Sequence, residues 1–209
     1  DSLLNDVILD LPPRYLESRD QYVEVTAAGG QYAAIAALDG EWYDLDLAPA
    51  RVILTSGASG GFLLAFSALF DAGDRVGLGE PCYPSYRQIL TAMSLEPVAL
   101  RTEPAARYQP VPGRLTCDLA GLIVASPANP TGTMLGKPEL QGLSDTSTSL
   151  DIALISDEIY HGLQYGARAV SALEVTDDVY VINSFSKYFS MTGWRLGWMV
   201  VPPDHVRVV

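Results

Sequence analysis

Seven short apolar runs recur along the chain: VILTS at 52–56, RVGLG at 75–79, PVAL at 97–100, GLIVAS at 121–126, IALIS at 152–156, VYVINS at 179–184 and GWMVV at 197–201. Their length and their β-branched content predict strands. The runs at 121, 152 and 179 do not alternate between apolar and polar residues, which predicts strands buried on both faces, as in a parallel sheet covered by helices. Longer mixed segments between them predict helices over 59–71 (SGGFLLAFSALFD), 83–94 and 137–150. The alternation predicts an α/β fold, a three-layer α/β/α domain on a mostly parallel seven-stranded sheet. The first fifty residues carry a Pro pair at 12–13 and then AAGGQYAAIAALDGEWYDL, with a helix expected over 31–38. At the other end, PPDHVRVV reads as a helix N-cap at Asp204 and a first turn, after which the sequence stops; a further domain is the natural continuation.

With 209 residues and 48% hydrophobic content, the chain can bury the core of one sizeable α/β domain. A net charge of −12 without a basic run argues against nucleic acid or an anionic membrane surface as partner. No apolar stretch reaches transmembrane length, and no basic region followed by an apolar one opens the chain. Cys82 and Cys117 form no framework, so a cytoplasmic, reducing setting is expected. His161 and His205 are too scattered for a His-rich metal site, and no metal is expected.

Chemistry concentrates where strands end. ILTSGASGGFLLAF is a strand, a small-residue turn and an apolar helix, and three readings of it stay open. Ser59 could cap the helix. The backbone N–H groups around Gly57, Ala58 and Ser59 could cradle a phosphate. G-x-S-x-G, met by Gly57, Ser59 and Gly61, could be the nucleophile elbow of an α/β-hydrolase. That last reading needs a later acid and histidine; Asp157 and His161 stand one helical turn apart, and no HGGG-like segment is present. SPANPTGT at 126–133 places Asn129 at a strand's exit, where open α/β sheets bind ligands. SDEIYHG at 156–162 does the same for Asp157, whose burial would call for a cationic partner.

Lys187, in SFSKYF, is one of two lysines against eleven arginines. Desolvation by Phe185, Tyr188 and Phe189 would favour its neutral, nucleophilic amine. Ser184, Ser186 and Arg195 stand near it, and arginine suits a phosphate. A phosphate cradle, an Asn, an Asp, a Tyr, a Lys and an Arg at adjoining strand ends match the needs of pyridoxal 5′-phosphate (PLP): an amine, a carboxylate for the ring nitrogen, donors for the ring oxygen, and phosphate ligands.

SFSK followed by TGWRLGW resembles the lysine signature of the class I/II aminotransferases, the fold type I PLP-dependent enzymes, and NPTG and SDEIY resemble that family's other landmarks in the same order. The resemblance covers about residues 50–209 and implies the PLP-binding large domain over 51–209; residues 1–50 diverge from the family pattern. It implies Lys187 as the catalytic lysine, forming a Schiff base and then moving the substrate's Cα proton. Asp157 would meet the pyridinium nitrogen, Asn129 and Tyr160 the ring oxygen, and Tyr83 the ring face. Gly57, Ala58, Ser59, Ser184, Ser186 and Arg195 would hold the phosphate. It further implies amino-acid and 2-oxo-acid substrates, a homodimer, and a C-terminal small domain bearing the arginine for the substrate carboxylate, a position this sequence does not reach. Other fold type I reactions (elimination, decarboxylation) and a non-catalytic PLP-binding fragment are the alternatives it leaves.

Overall fold

A computed structural model describes residues 30–208 of the chain, so the Pro12–Pro13 pair lies outside the described residues. The chain divides into two compact units, residues 1–52 and 53–209. In the first, helix α1 spans Gly30–Tyr43, longer at both ends than the expected 31–38. Gly40 does not stop it; the helix ends where Asp44 takes a left-handed φ of 58° and donates its N–H to the Gly40 carbonyl at 2.9 Å.

The strands are β1 (Val52–Thr55), β2 (Arg75–Glu80), β3 (Glu96–Arg101), β4 (Gly121–Ala125), β5 (Ala153–Asp157), β6 (Tyr180–Ser184) and β7 (Gly197–Val200), all seven near their expected places. Helix α2 spans Gly57–Leu69, α3 Pro84–Ala92 and α4 Lys137–Leu150. Proline stands in the first turn of α3 and of α4, where its missing N–H costs nothing. A single 3₁₀ turn over Pro203–His205 replaces the helix start expected at Asp204; proline at its first position sets the turn, and Asp204 lies inside it. Among the described residues no helix is long and apolar enough to cross a membrane.

Sheet order is β1-β7-β6-β5-β4-β2-β3. The pairs β2–β3, β2–β4, β4–β5 and β5–β6 are parallel, and β6–β7 is antiparallel. One face buries Phe62 and Phe66 of α2 and Leu90 of α3 against Leu78, Ile123, Ile155, Ile182 and Met199. The alternate residues Leu122, Val124, Leu154, Val181 and Trp198 are also buried, so the opposite face is covered too. Leu140 and Leu143 of α4, which packs on β5, contribute to that second layer.

β7 enters the sheet through a tight crossing. A Cβ on Gly197 would stand 2.8 Å from the Asn183 carbonyl oxygen and 2.9 Å from the Gly57 carbonyl carbon, both backbone atoms that cannot swing away. Gly197→Ala is therefore expected to destabilise the chain by about 1–3 kcal/mol. A lower urea midpoint with an unchanged m-value would register this.

Candidate functional site

Strand register gathers the motif residues along one edge. Ala125 of β4 is level with Asp157 of β5, Asp157 with Ile182 of β6, and Ser184 with Gly197 of β7. Because β7 runs antiparallel to β6, its entry lies at the exit of β6. Asn129, Asp157, Tyr160, Lys187 and Arg195 thus come from successive loops at the carboxyl edge of the sheet. The connections diverge there, β2 leading outward to β3 and β4 the other way to β5, the usual place for a ligand crevice. A shallow cleft opens on this edge, lined by Cys82, Tyr86, Tyr108, Gln109 and Asn129 among others.

At one end stands the N-terminus of α2. Ser56, not Ser59, occupies the cap position, and its side chain makes no capping bond; Ser59 lies exposed in the first turn of the helix. The helix begins earlier than its apolar run because Gly57 takes a φ of +71°, turning the chain out of β1. A Cβ at Gly57 would meet Arg195 Nη2 at 2.5 Å and Cζ at 3.1 Å. The Arg195 guanidinium therefore lies against the start of α2, so uncapped N–H groups and a fixed cation face the same space, a setting for an anion. Arg195 is held by its own left-handed backbone, φ 53°, and by Nη1 donating to the Thr192 carbonyl at 3.0 Å.

The loop between β6 and β7 is closed by its own hydrogen bonds. Phe185 N–H donates to Leu196 O at 3.1 Å, Met191 N–H to Phe185 O at 3.0 Å, and the Thr192 hydroxyl to Ser186 O at 2.7 Å. Ser184 and Ser186 are buried, and the Ser186 N–H donates to Ser184 Oγ at 3.0 Å.

Lys187 is exposed, contrary to the desolvated setting expected of it. The neighbouring aromatics pack on one another instead: Phe185 lies 5.0 Å from Phe189 and 4.9 Å from Trp198, and Tyr188 meets Phe189 edge-on at 5.1 Å. The Lys187 ammonium nitrogen sits 5.7 Å from the centroid of the Tyr160 ring. Tyr160 in turn accepts a hydrogen bond from Asn129 Nδ2 at 3.4 Å, so the three residues expected around one ring meet in space.

Asp157 is buried at the exit of β5. Burial pushes its carboxyl up from 3.8 to about 6, against the opposing pull of hydrogen bonds from the Tyr86 hydroxyl and from the Ile159 N–H at 3.1 Å. No lysine or arginine among the described residues pairs with it. Burial and the adjacent carboxylate hold the Tyr86 hydroxyl well above its ordinary range, so it stays a donor. The sequence reading missed Tyr86. The available signal was its spacing from Tyr83: three residues apart at a helix start share a face, and the two rings meet edge-on at 5.6 Å. Tyr83 itself is 41% exposed.

The hydrolase reading of Ser59 fails on geometry. A nucleophile elbow places its serine on a sharp turn before the helix, whereas Ser59 is within α2. Both histidines are engaged elsewhere, His161 with Ser126 O at 2.7 Å and His205 with the Tyr180 hydroxyl at 2.9 Å.

The family model for aminotransferase class I and II matches residues 18–209, reaching some thirty residues further toward the N-terminus than the motifs alone. The chain is 49% identical over 181 residues to the valine–pyruvate aminotransferase of Mycobacterium tuberculosis, covering 84% of this chain and 47% of that protein. A crystal structure from Silicibacter pomeroyi, assigned to the aminotransferases, superposes with a TM-score of 0.84 at 61% identity, covering 90% of this chain and 52% of that one. Thermus thermophilus aspartate aminotransferase with maleate gives 0.79 at 30% identity, covering 85% and 48%. The chain spans about half the length of the curated relatives it matches. The strand-end motifs, the seven-stranded sheet and these likenesses agree: the chain belongs to the class I and II aminotransferases.

Proposed function

We propose that the protein carries the cofactor half of a PLP-dependent aminotransferase. The carrying observation is Asp157: a buried carboxylate without a cationic partner among the described residues, on the same sheet edge as Lys187 and Arg195. A protonated ring nitrogen is the cation such a site lacks. The Arg195 guanidinium beside the uncapped N–H groups at the start of α2 supports a phosphate site at that end of the edge. When bound, PLP supplies an aldehyde that condenses with amines and a ring that withdraws electrons from the Cα–H bond.

The chain's own residues do the rest. Asp157 keeps a proton on the ring nitrogen. Asn129 and Tyr160 donate hydrogen bonds to the ring oxygen, and Tyr83 covers a ring face. Gly57, Ala58 and Ser59 at the helix start, with Ser184, Ser186 and Arg195, hold the phosphate. Lys187 Nζ is the nucleophile that anchors the cofactor, and then the base that takes the proton from Cα and returns it. Residues 51–209 form the cofactor-binding domain in this reading, residues 1–50 a separate N-terminal segment, and the working unit is a homodimer. The free cysteines Cys82 and Cys117 suit a reducing, cytoplasmic setting.

The relative's name supports an aliphatic amino donor with pyruvate as acceptor. PLP-loaded protein given L-valine and pyruvate is expected to form L-alanine. Release of ammonia and pyruvate from L-cysteine or L-serine without amino transfer would overturn this reading in favour of a β-elimination lyase.

A further inference from the structure

Behind the ring-binding edge lies a second polar cluster that the proposed chemistry does not use. Glu158 and His161 are each 2% exposed. Glu158 Oε1 accepts from the Ser156 hydroxyl at 3.0 Å and from the Ala172 N–H at 2.8 Å. Its Oε2 lies 3.4 Å from His161 Nδ1, and His161 Nε2 lies 2.7 Å from the Ser126 carbonyl oxygen. A carbonyl oxygen only accepts, so Nε2 carries a hydrogen and donates. Nδ1 then faces a carboxylate oxygen of Glu158. Burying such a pair is expensive, and packed apolar residues of similar size would stabilise the fold as well or better. The pair therefore calls for a reason other than stability.

That reason is what the pair holds. Ser126 is fixed at three points: its carbonyl by His161, its N–H on Asp157 O at 3.2 Å, and its Oγ by the Leu135 N–H at 2.9 Å. Those bonds close the 126–135 loop that carries Asn129. Glu158 and His161 also flank Tyr160 in sequence, and Glu158 ties that segment to β6 through its N–H on Ile182 O at 2.9 Å. One buried pair thus joins the loop bearing Asn129 to the segment bearing Tyr160, and those two side chains meet at 3.4 Å. We propose that Glu158 and His161 are a positioning pair that sets Asn129 and Tyr160 for the cofactor's ring oxygen. Neither touches a reacting atom, and the proposal rests on the cofactor reading given above.

The test uses the full chain and two readouts. Without PLP, His161→Leu is expected to speed amide exchange about tenfold at Ala128 and Leu135, whose N–H groups close the loop. The β6 amides should be unchanged. His161→Gln retains a donor toward Ser126 and should restore protection. With PLP, His161→Leu is expected to weaken cofactor binding about tenfold and to move the pH midpoint of its absorbance band, because donors to the ring oxygen stabilise one protonation state over the other. A folded His161→Leu with native exchange at both amides and an unmoved midpoint would overturn the proposal. Should the leucine variant not fold, Glu158→Gln decides, since it keeps an acceptor for Ala172 and deletes the charge: a moved midpoint supports the pair, an unmoved one sinks it. Failure of the unmutated chain to bind PLP would instead overturn the cofactor reading, and the exchange readout would still decide the positioning role.

Discussion

Lys187→Ala is expected to cut amino-transfer turnover by about 10³-fold or more, since in the proposed reading it removes both the nucleophile and the base that moves the Cα proton. The same substitution should leave the fold alone. Lys187 is exposed, and its described contact is the face of the Tyr160 ring at 5.7 Å, so truncation should change stability by about 0.5 kcal/mol or less. Pairing kcat with the urea midpoint separates the two effects. Lys187→Arg keeps the positive charge and should be equally inactive. A variant retaining a tenth of the turnover would show that Lys187 is not the reacting amine.

Asp157→Asn is expected to act in opposite directions on stability and on activity. In the folded chain the Asp157 carboxyl titrates near 6, against an ordinary 3.8. The folded state therefore binds this proton more tightly than the unfolded state does. Ionising the buried group costs stability: the cost is absent below about pH 4, grows between the two values, and is complete above pH 6. The difference between the two values amounts to about 3 kcal/mol. The cofactor-free asparagine variant should be more stable than the parent above pH 6, by up to that amount, and the advantage should vanish below about pH 4. Asparagine can accept the Ile159 N–H with its oxygen while its Nδ2 donates to the Tyr86 hydroxyl oxygen, so both contacts and the packing are kept. It cannot hold a proton on a ring nitrogen as a carboxylate does, and turnover should fall by about 10²–10⁴-fold. Urea titrations at both ends of the pH range, set beside kcat, check both halves. Equal destabilisation at both pH extremes would contradict the assigned strain. Such opposition marks a residue kept for function at the expense of the fold.

How much of this was legible in the sequence differs from residue to residue. The strands were readable because a doubly covered sheet demands unbroken apolar runs, and GLIVA and VYVIN leave little else to be. The placement of Asn129, Asp157 and Lys187 at one edge was readable because each follows such a run and parallel register brings strand exits together, whereas Arg195 reaches that edge because β7 runs antiparallel to β6. The exposure of Lys187 was not readable, because aromatic neighbours in sequence can pack on each other, as Phe185 does on Trp198. The start of α2 was misjudged for a backbone reason: a positive φ at Gly57 turns the chain before the apolar run begins. Asp157 and Glu158 adjoin in sequence, yet period-two alternation sends them apart. Asp157 lies on the side of Ile155 and meets Tyr86, whereas Glu158 lies on the side of Ser156 and meets His161. Tyr86 and His161 act through partners 71 and 35 residues away, separations that no local pattern encodes.

The chain has two lysines, Lys187 in the site loop and Lys137, exposed at the first position of α4. Borohydride reduction of PLP-loaded protein locks a lysine–aldehyde condensation product as a stable amine, and peptide mass mapping then locates it. The account predicts the pyridoxyl group on Lys187, with Lys137 unmodified as the internal control. Modification of Lys137 alone, or an unmodified Lys187, would contradict it.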